Sequence, residues 1–122
     1  MKSYDLDKVL QSRADHEVSG SRKGRFWDME PFDGGSTWIG KWIGESPWEK
    51  HVKGDEFIHV LRGEVEIILI TSDGKKSVFV SEGSIFVVPA DHWHQQRARS
   101  EVIILGATPG VTDHSETDPS LS

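Results

Sequence analysis

Between residues 25 and 107 the chain is a succession of short apolar runs broken by turn residues, and this rhythm constrains the fold more than any other feature. The runs are RFWDM, TWIGKWIG, EFIHVL, EVEIILIT, SVFVS, SIFVVP and EVIILGA. Each has the length of a β-strand. In EVEIILIT, Val65, Ile67 and Leu69 alternate with Glu64, Glu66 and Ile68. That period of two sends alternate side chains to opposite faces of a sheet. Between the runs stand Arg62-Gly63, Ser72-Asp73-Gly74 and Glu82-Gly83. Asp and Gly tolerate the positive φ of tight hairpins. Strand following strand, with no helical segment between, predicts an all-β sandwich or barrel.

The flanks read differently. Leu6, Val9 and Leu10 fall at helical spacing, and Ser3 or Asp5 can cap them, so residues 5–12 are expected to form a short helix outside the main body. Residues 13–24 are polar and read as loop. After Gly110 the sequence VTDHSETDPSLS is expected to be a loose polar tail. The expected organisation is a helix and loop over 1–24 packing on a barrel over 25–110, followed by a tail over 111–122. At 122 residues the chain fits one domain.

Composition narrows the chemistry. Cysteine is absent, so any metal must be held by His and carboxylate. The formal charge is −6, and no Lys/Arg cluster stands out beyond Arg22, Lys23 and Arg25. A surface of that sign repels phosphates, which argues against nucleic-acid binding and against anionic membranes. No apolar run approaches the ~20 residues of a membrane span, and the early charges leave no room for a signal-peptide core. A cytoplasmic location is expected.

Two segments concentrate the histidines, Trp48-Glu49-Lys50-His51-Val52-Lys53-Gly54-Asp55-Glu56 and Pro89-Ala90-Asp91-His92-Trp93-His94-Gln95-Gln96. Residues two apart in a strand share a face, so Glu49 goes with His51, and His92 with His94 and Gln96. The Lys53-Gly54-Asp55 loop lets Glu56 re-enter from the next strand. Facing each other inside a barrel, these strands would aim His51, Glu56 and His94 at one point, two imidazoles and a carboxylate with positions left open. His16, His59 and His114 read as surface or satisfied polar residues. Trp38 and Trp42 share parity across Gly40, leaving a gap that either packs a core or clamps a planar ligand.

These two segments resemble the paired motifs of the cupin superfamily. His51, then Glu56 after four intervening residues, then Gly63 after six more, match the first motif; Gly83, Pro89 and His94 match the second. The likeness covers residues 36–107. It departs at Glu49, where the motif has a histidine, at Asp91, where it has a glycine, and at Ala98, where it has an asparagine. ESPWEKH, DEF and HVLRGE, with the Thr108-Pro109-Gly110 tail, are similar to a group of small bacterial cupins without an assigned reaction.

The resemblance implies a double-stranded β-helix, the jelly-roll or cupin barrel, holding one divalent metal at Glu49, His51, Glu56 and His94. Mn or Fe is favoured by two carboxylates beside two imidazoles, with Zn or Ni possible. Glu49 is either a ligand, a catalytic base beside the metal, or a solvated side chain. Gln96, Trp38, Trp42, Trp93 and His92 are the substrate-binding candidates. The expected function is a metal-dependent enzyme of the dioxygenase, isomerase or lyase type acting on a small polar organic molecule. The alternative is a non-catalytic ligand-binding or sensor cupin. Phe57, Leu61 and Ile68 or Ile70 are expected on one uncovered sheet face, which points to a homodimer.

Overall fold

The structure, a computed structural model, describes residues 2–121. It contains one helix, ten strands and a terminal 3-10 turn: α1 (Leu6–Gln11), β1 (His16–Glu17), β2 (Lys23–Phe32), β3 (Gly35–Glu45), β4 (Trp48–His51), β5 (Glu56–Arg62), β6 (Glu64–Thr71), β7 (Gly74–Ser81), β8 (Ile85–Val88), β9 (His94–Thr108), β10 (Thr112–Ser115) and the turn Pro119–Leu121. The expected helix is present, and Asp5 is its cap: the Asp5 carboxylate accepts from the Lys8 N–H at 3.2 Å. No helix among the described residues is long and apolar enough to cross a membrane.

All strand pairs are antiparallel, and β9 organises them. Its first part, from His94 to Arg97, pairs β6 on one side (Leu69↔His94, Ile67↔Gln96) and β4 and the end of β3 on the other (Glu49↔His94, Glu45↔Arg97). Its second part, from Val102 to Thr108, pairs β3 and β5 (Trp38↔Gly106, Ile58↔Gly106). The β3 register shifts between Trp42 and Gly44, where β9 passes from one sheet to the other. One sheet therefore runs β1-β2-β3-β9-β5-β8 and the other β10-β4-β9-β6-β7. They curl over a shared interior as the double-stranded β-helix, jelly-roll architecture expected of a cupin barrel.

The interior grades from apolar to polar along the barrel. Ile58, Val60, Val65, Ile67, Val102 and Ile104 are fully buried and fill one end with Val80, Val88 and Trp42. Each such side chain contributes about 1.5–3 kcal/mol by leaving water. On the same inward face, β5 begins with Glu56 and β9 begins with His94 and Gln96, all buried. The polar end of the barrel is thus made of the terminal residues of strands whose remaining inward positions are core.

Two flanking segments differ from expectation. Residues 13–24, expected as loop, include β1, which pairs with Arg25 and Phe26 of β2. The tail, expected to be loose, contributes β10, which pairs with the whole of β4 (Thr112↔His51, His114↔Glu49). Polar sequence did not prevent either: an uncovered barrel edge offers unpaired N–H and C=O groups, and any extended segment can take them. The expected apolar face is also redistributed. Phe57 is exposed, but Ile68 is buried, and Leu61 and Ile70 are half-buried.

Candidate metal centre

The centre is built at the polar end of the barrel. β4 brings Glu49 and His51, β5 brings Glu56, and β9 brings His94. Glu49, His51 and His94 each place a donor atom within 4.8 Å of the others. Glu56 lies between the imidazoles, its Oε2 3.4 Å from His51 Nε2 and its Oε1 3.3 Å from His94 Nε2. All of His51, Glu56 and His94 are at least 97% removed from solvent, so water does not relieve these charges.

The outer atoms of the two rings are engaged. His94 Nδ1 lies 3.3 Å from the His92 carbonyl, and His51 Nδ1 lies 2.9 Å from Thr112 Oγ1. A carbonyl only accepts, so His94 Nδ1 carries the proton, and in the neutral ring Nε2 presents a lone pair inward. That lone pair faces a carboxylate, acceptor against acceptor. His51 Nε2, His94 Nε2 and Glu56 Oε1 are buried with no hydrogen-bond partner. Such a cluster is costly unless a proton or a cation occupies the space between. With no cation, a proton is drawn in. Burial pushes the His94 imidazolium down, but the Glu56 carboxylate outweighs it and the net direction is up. Burial would likewise push Glu56 up, and the two imidazoles reverse it, bringing Glu56 to about 2. The donor set therefore fits a divalent cation.

Glu49 differs from Glu56. Burial, then the Glu56 charge, push its carboxyl up, against the opposing pull of His94, Arg22 and His51. Its Oε2 lies 3.2 Å from His114 Nε2 of β10. Outside the donor set, Trp38 Nε1 donates to Thr108 Oγ1 at 2.7 Å, and Thr108 Oγ1 donates to Glu56 Oε2 at 2.5 Å. This chain fixes which oxygen of Glu56 is left for the centre.

A cavity of about 230 Å³ opens above these groups; Trp38, Gln96, Arg22 and Thr112 are on its wall. Trp42, His92 and Trp93 are elsewhere. Trp42 is core, and the ring of Phe26 fills the space over Gly40 between it and Trp38, 5.1 Å from Trp38 and edge-on. His92 Nδ1 lies 2.8 Å from the Ala90 carbonyl, and Trp93 lies under the Lys50 ammonium. Thr108, Thr112, His114 and Arg22 belong to the site's surroundings without having been singled out from the sequence. All lie outside the His-rich segments: the pairing of β10 brings in Thr112 and His114, the β1–β2 loop brings in Arg22, and the far end of β9, paired with β3, brings in Thr108. Asp91 adopts φ 60° at the position where the cupin motif has glycine. Asp is one of the few residues that tolerate this region, so the turn survives the departure.

Residues 43–105, more than half of the chain, match the model of the cupin domain. The chain is a cupin. No curated protein matches it. Among solved structures, it is similar to a cupin-2 domain-containing protein from Shewanella frigidimarina, at 22% identity and TM-score 0.64 over 85% of this chain and 90% of that one. A protein from Neisseria meningitidis aligns at 17% identity and TM-score 0.67 over 89% and 100%. Bacillus subtilis oxalate decarboxylase, which has Mn(II) centres, aligns at 12% identity and TM-score 0.69 over 87% of this cupin but only 30% of its own chain. At these identities the likeness is one of fold.

Proposed function

We propose that this cupin holds one divalent metal ion through His51, His94, Glu56 and Glu49 and acts as a metal-dependent enzyme on a small polar organic molecule. The observation that carries the reading is the trio of buried, unpartnered donor atoms, His51 Nε2, His94 Nε2 and Glu56 Oε1, converging beside a cavity. Two carboxylates with two imidazoles favour Mn²⁺ or Fe²⁺, with Zn²⁺ or Ni²⁺ possible. When bound, such an ion supplies Lewis-acid polarisation of a substrate oxygen or activation of O₂. The protein supplies the rest. Trp38 and Gln96 form the substrate wall, and Glu49, its carboxyl shifted up, is placed either to ligate or to accept a substrate proton. Reaction types within reach are those of a dioxygenase, isomerase or lyase.

Elemental analysis of protein purified without a metal-affinity tag tests the reading. Near one equivalent of Mn or Fe is expected, and His51→Ala or His94→Ala should lower it at least tenfold with the far-ultraviolet circular dichroism retained. Undiminished metal in both variants would refute the ligand assignment. Metal uptake without turnover on any small acid or keto compound would favour a ligand-binding cupin.

The same reading includes a two-fold homodimer. Phe57 pairs Val87 across β5 and β8, and Ile85 shares their outward face; these three are 38%, 44% and 58% exposed. Light scattering should give about twice the 13.7 kDa chain mass, and a clean monomer would exclude this.

A further inference from the structure

Arg22 sits between β1 and β2, on the wall of the cavity that Glu49, His51 and Glu56 also line. Its loop is fixed to the barrel: the Ser21 N–H donates to the Glu45 carbonyl at 3.0 Å, and Gly44 lies so close that a Cβ there would be 2.7 Å from the Ser21 carbonyl oxygen. The guanidinium is fixed as well. Nε donates to the Ser19 carbonyl at 2.8 Å, Nη2 donates to Ser19 Oγ at 2.9 Å, and the group lies 5.1 Å from the Trp42 ring centroid and 5.4 Å from that of Phe26. No carboxylate forms an ion pair with it among the described residues. The structure thus holds a partly buried, oriented cation without an anion.

Two of the five guanidinium N–H donors are used by Ser19, which leaves the Nη end free for a two-pronged contact. Glu49 and Glu56 offset part of the burial of Arg22 from across the cavity. A divalent ion in the centre would neutralise those two carboxylates, leaving the Arg22 charge unbalanced. Asp28 also reaches the rim, but it is more than half exposed and faces His16 at 3.8 Å, so solvent and the imidazole share its charge. The surplus is one positive charge, on a planar fork.

We propose that Arg22 anchors the carboxylate of a small organic acid whose second oxygen function reaches the metal centre. This names the substrate class for the function proposed above and rests on that reading. A carboxylate matches both the fork and the single surplus charge, whereas a phosphate carries more charge than one guanidinium balances. The cavity of about 230 Å³ suits a small acid. Roughly eight water-sized groups fit such a volume. Trp38 gives the acid's carbon skeleton an apolar wall, and Gln96 can bond a hydroxyl or keto oxygen. The anchor fixes one end of the substrate, so the other end is presented to the centre in one orientation.

The test is titration of Mn²⁺-loaded protein with glycolate, pyruvate, succinate and 2-hydroxybenzoate, and with their neutral amides, by calorimetry. At least one acid is expected to bind at sub-millimolar concentration, its amide at least tenfold more weakly. Arg22→Gln should lose at least tenfold in affinity for that acid while keeping wild-type Mn²⁺ content. Arg22→Lys, which keeps the charge but not the fork, should fall between and carries the test if the Gln variant does not fold. Binding by none of the acids, equal binding by the amides, or unchanged binding in the variants would overturn the proposal. If wild-type protein takes up no metal, the function proposed above fails by itself. The same titrations on metal-free protein then decide the anchor: Arg22-dependent acid binding retains it, and its absence overturns it.

Discussion

Gly106 is the position where a single methyl group should damage both stability and the centre. It faces Trp38 across the β3–β9 pair, and a Cβ there would lie 2.6 Å from Trp38 Cε2 and 2.8 Å from Cη2. The Cζ2 atom is closer still, and ordinary carbon contacts need about 3.5–4.0 Å, so the ring must shift by more than about 1 Å. It has little freedom to do so. Trp38 is 8% exposed, stands edge-on to Phe26, and donates from Nε1 to Thr108. Overpacking of this kind costs about 1–3 kcal/mol, and loss of the indole hydrogen bond adds about 1 kcal/mol. Gly106→Ala should therefore destabilise by about 2–4 kcal/mol, which for a chain of this length lowers Tm by about 8–16 °C. Urea and thermal unfolding measure it. Trp38→Leu in the same chain removes the obstructing ring, so the double variant should be no less stable than Trp38→Leu alone. A Gly106→Ala protein melting within 2 °C of wild type, or strictly additive losses in the double variant, would refute the reasoning.

Thr108→Val removes the oxygen that accepts from Trp38 and donates to Glu56. It should cost about 1–3 kcal/mol and weaken metal binding about 10–100-fold while leaving all four donor residues in place, as read by unfolding and by metal titration. Metal-free protein should show an unusual pH profile. The folded pKa of His94 is raised, so its contribution is full below about 6.5 and is lost as pH rises through the folded value. Glu49, also raised, loses its contribution in the same alkaline direction from its ordinary range upward. Glu56 is depressed to about 2, so its contribution holds above its ordinary range and disappears as pH falls towards that value. Thermal melts without metal should therefore weaken from pH 6 to pH 8.5. Added Mn²⁺ should reverse that slope, because ligation needs neutral imidazoles. A metal-free Tm that is flat or rising over this range would sink the assignment of the shifts.

Several features are legible in the sequence alone. Hydrophobic alternation with Gly and Asp turns specifies strands and hairpins because both are local: side-chain parity and positive φ are decided within a few residues. The spacing of His51, Glu56 and Gly63, and of Gly83, Pro89 and His94, was readable for the same reason, since each motif lies on one or two adjacent strands. Asp5 as a helix cap is equally local. The role of the gap between Trp38 and Trp42 was not readable. It depended on whether Phe26, from another strand, occupies the space over Gly40, and it does.

By itself, then, the sequence determined an all-β barrel and the donor types available to it: cysteine is absent, and two segments carry His and Glu at strand parity. Only the tertiary structure decided what surrounds those donors. The polar tail forms β10 and sets Thr112 and His114 against His51 and Glu49. The β1–β2 loop turns Arg22 onto Trp42 and into the cavity, and Thr108 comes from the far end of β9 to hold Glu56. The physical reason is the same in each case. These contacts join segments far apart in the chain, and their geometry is set by strand pairing and barrel closure, which leave no periodic mark on the sequence of either partner.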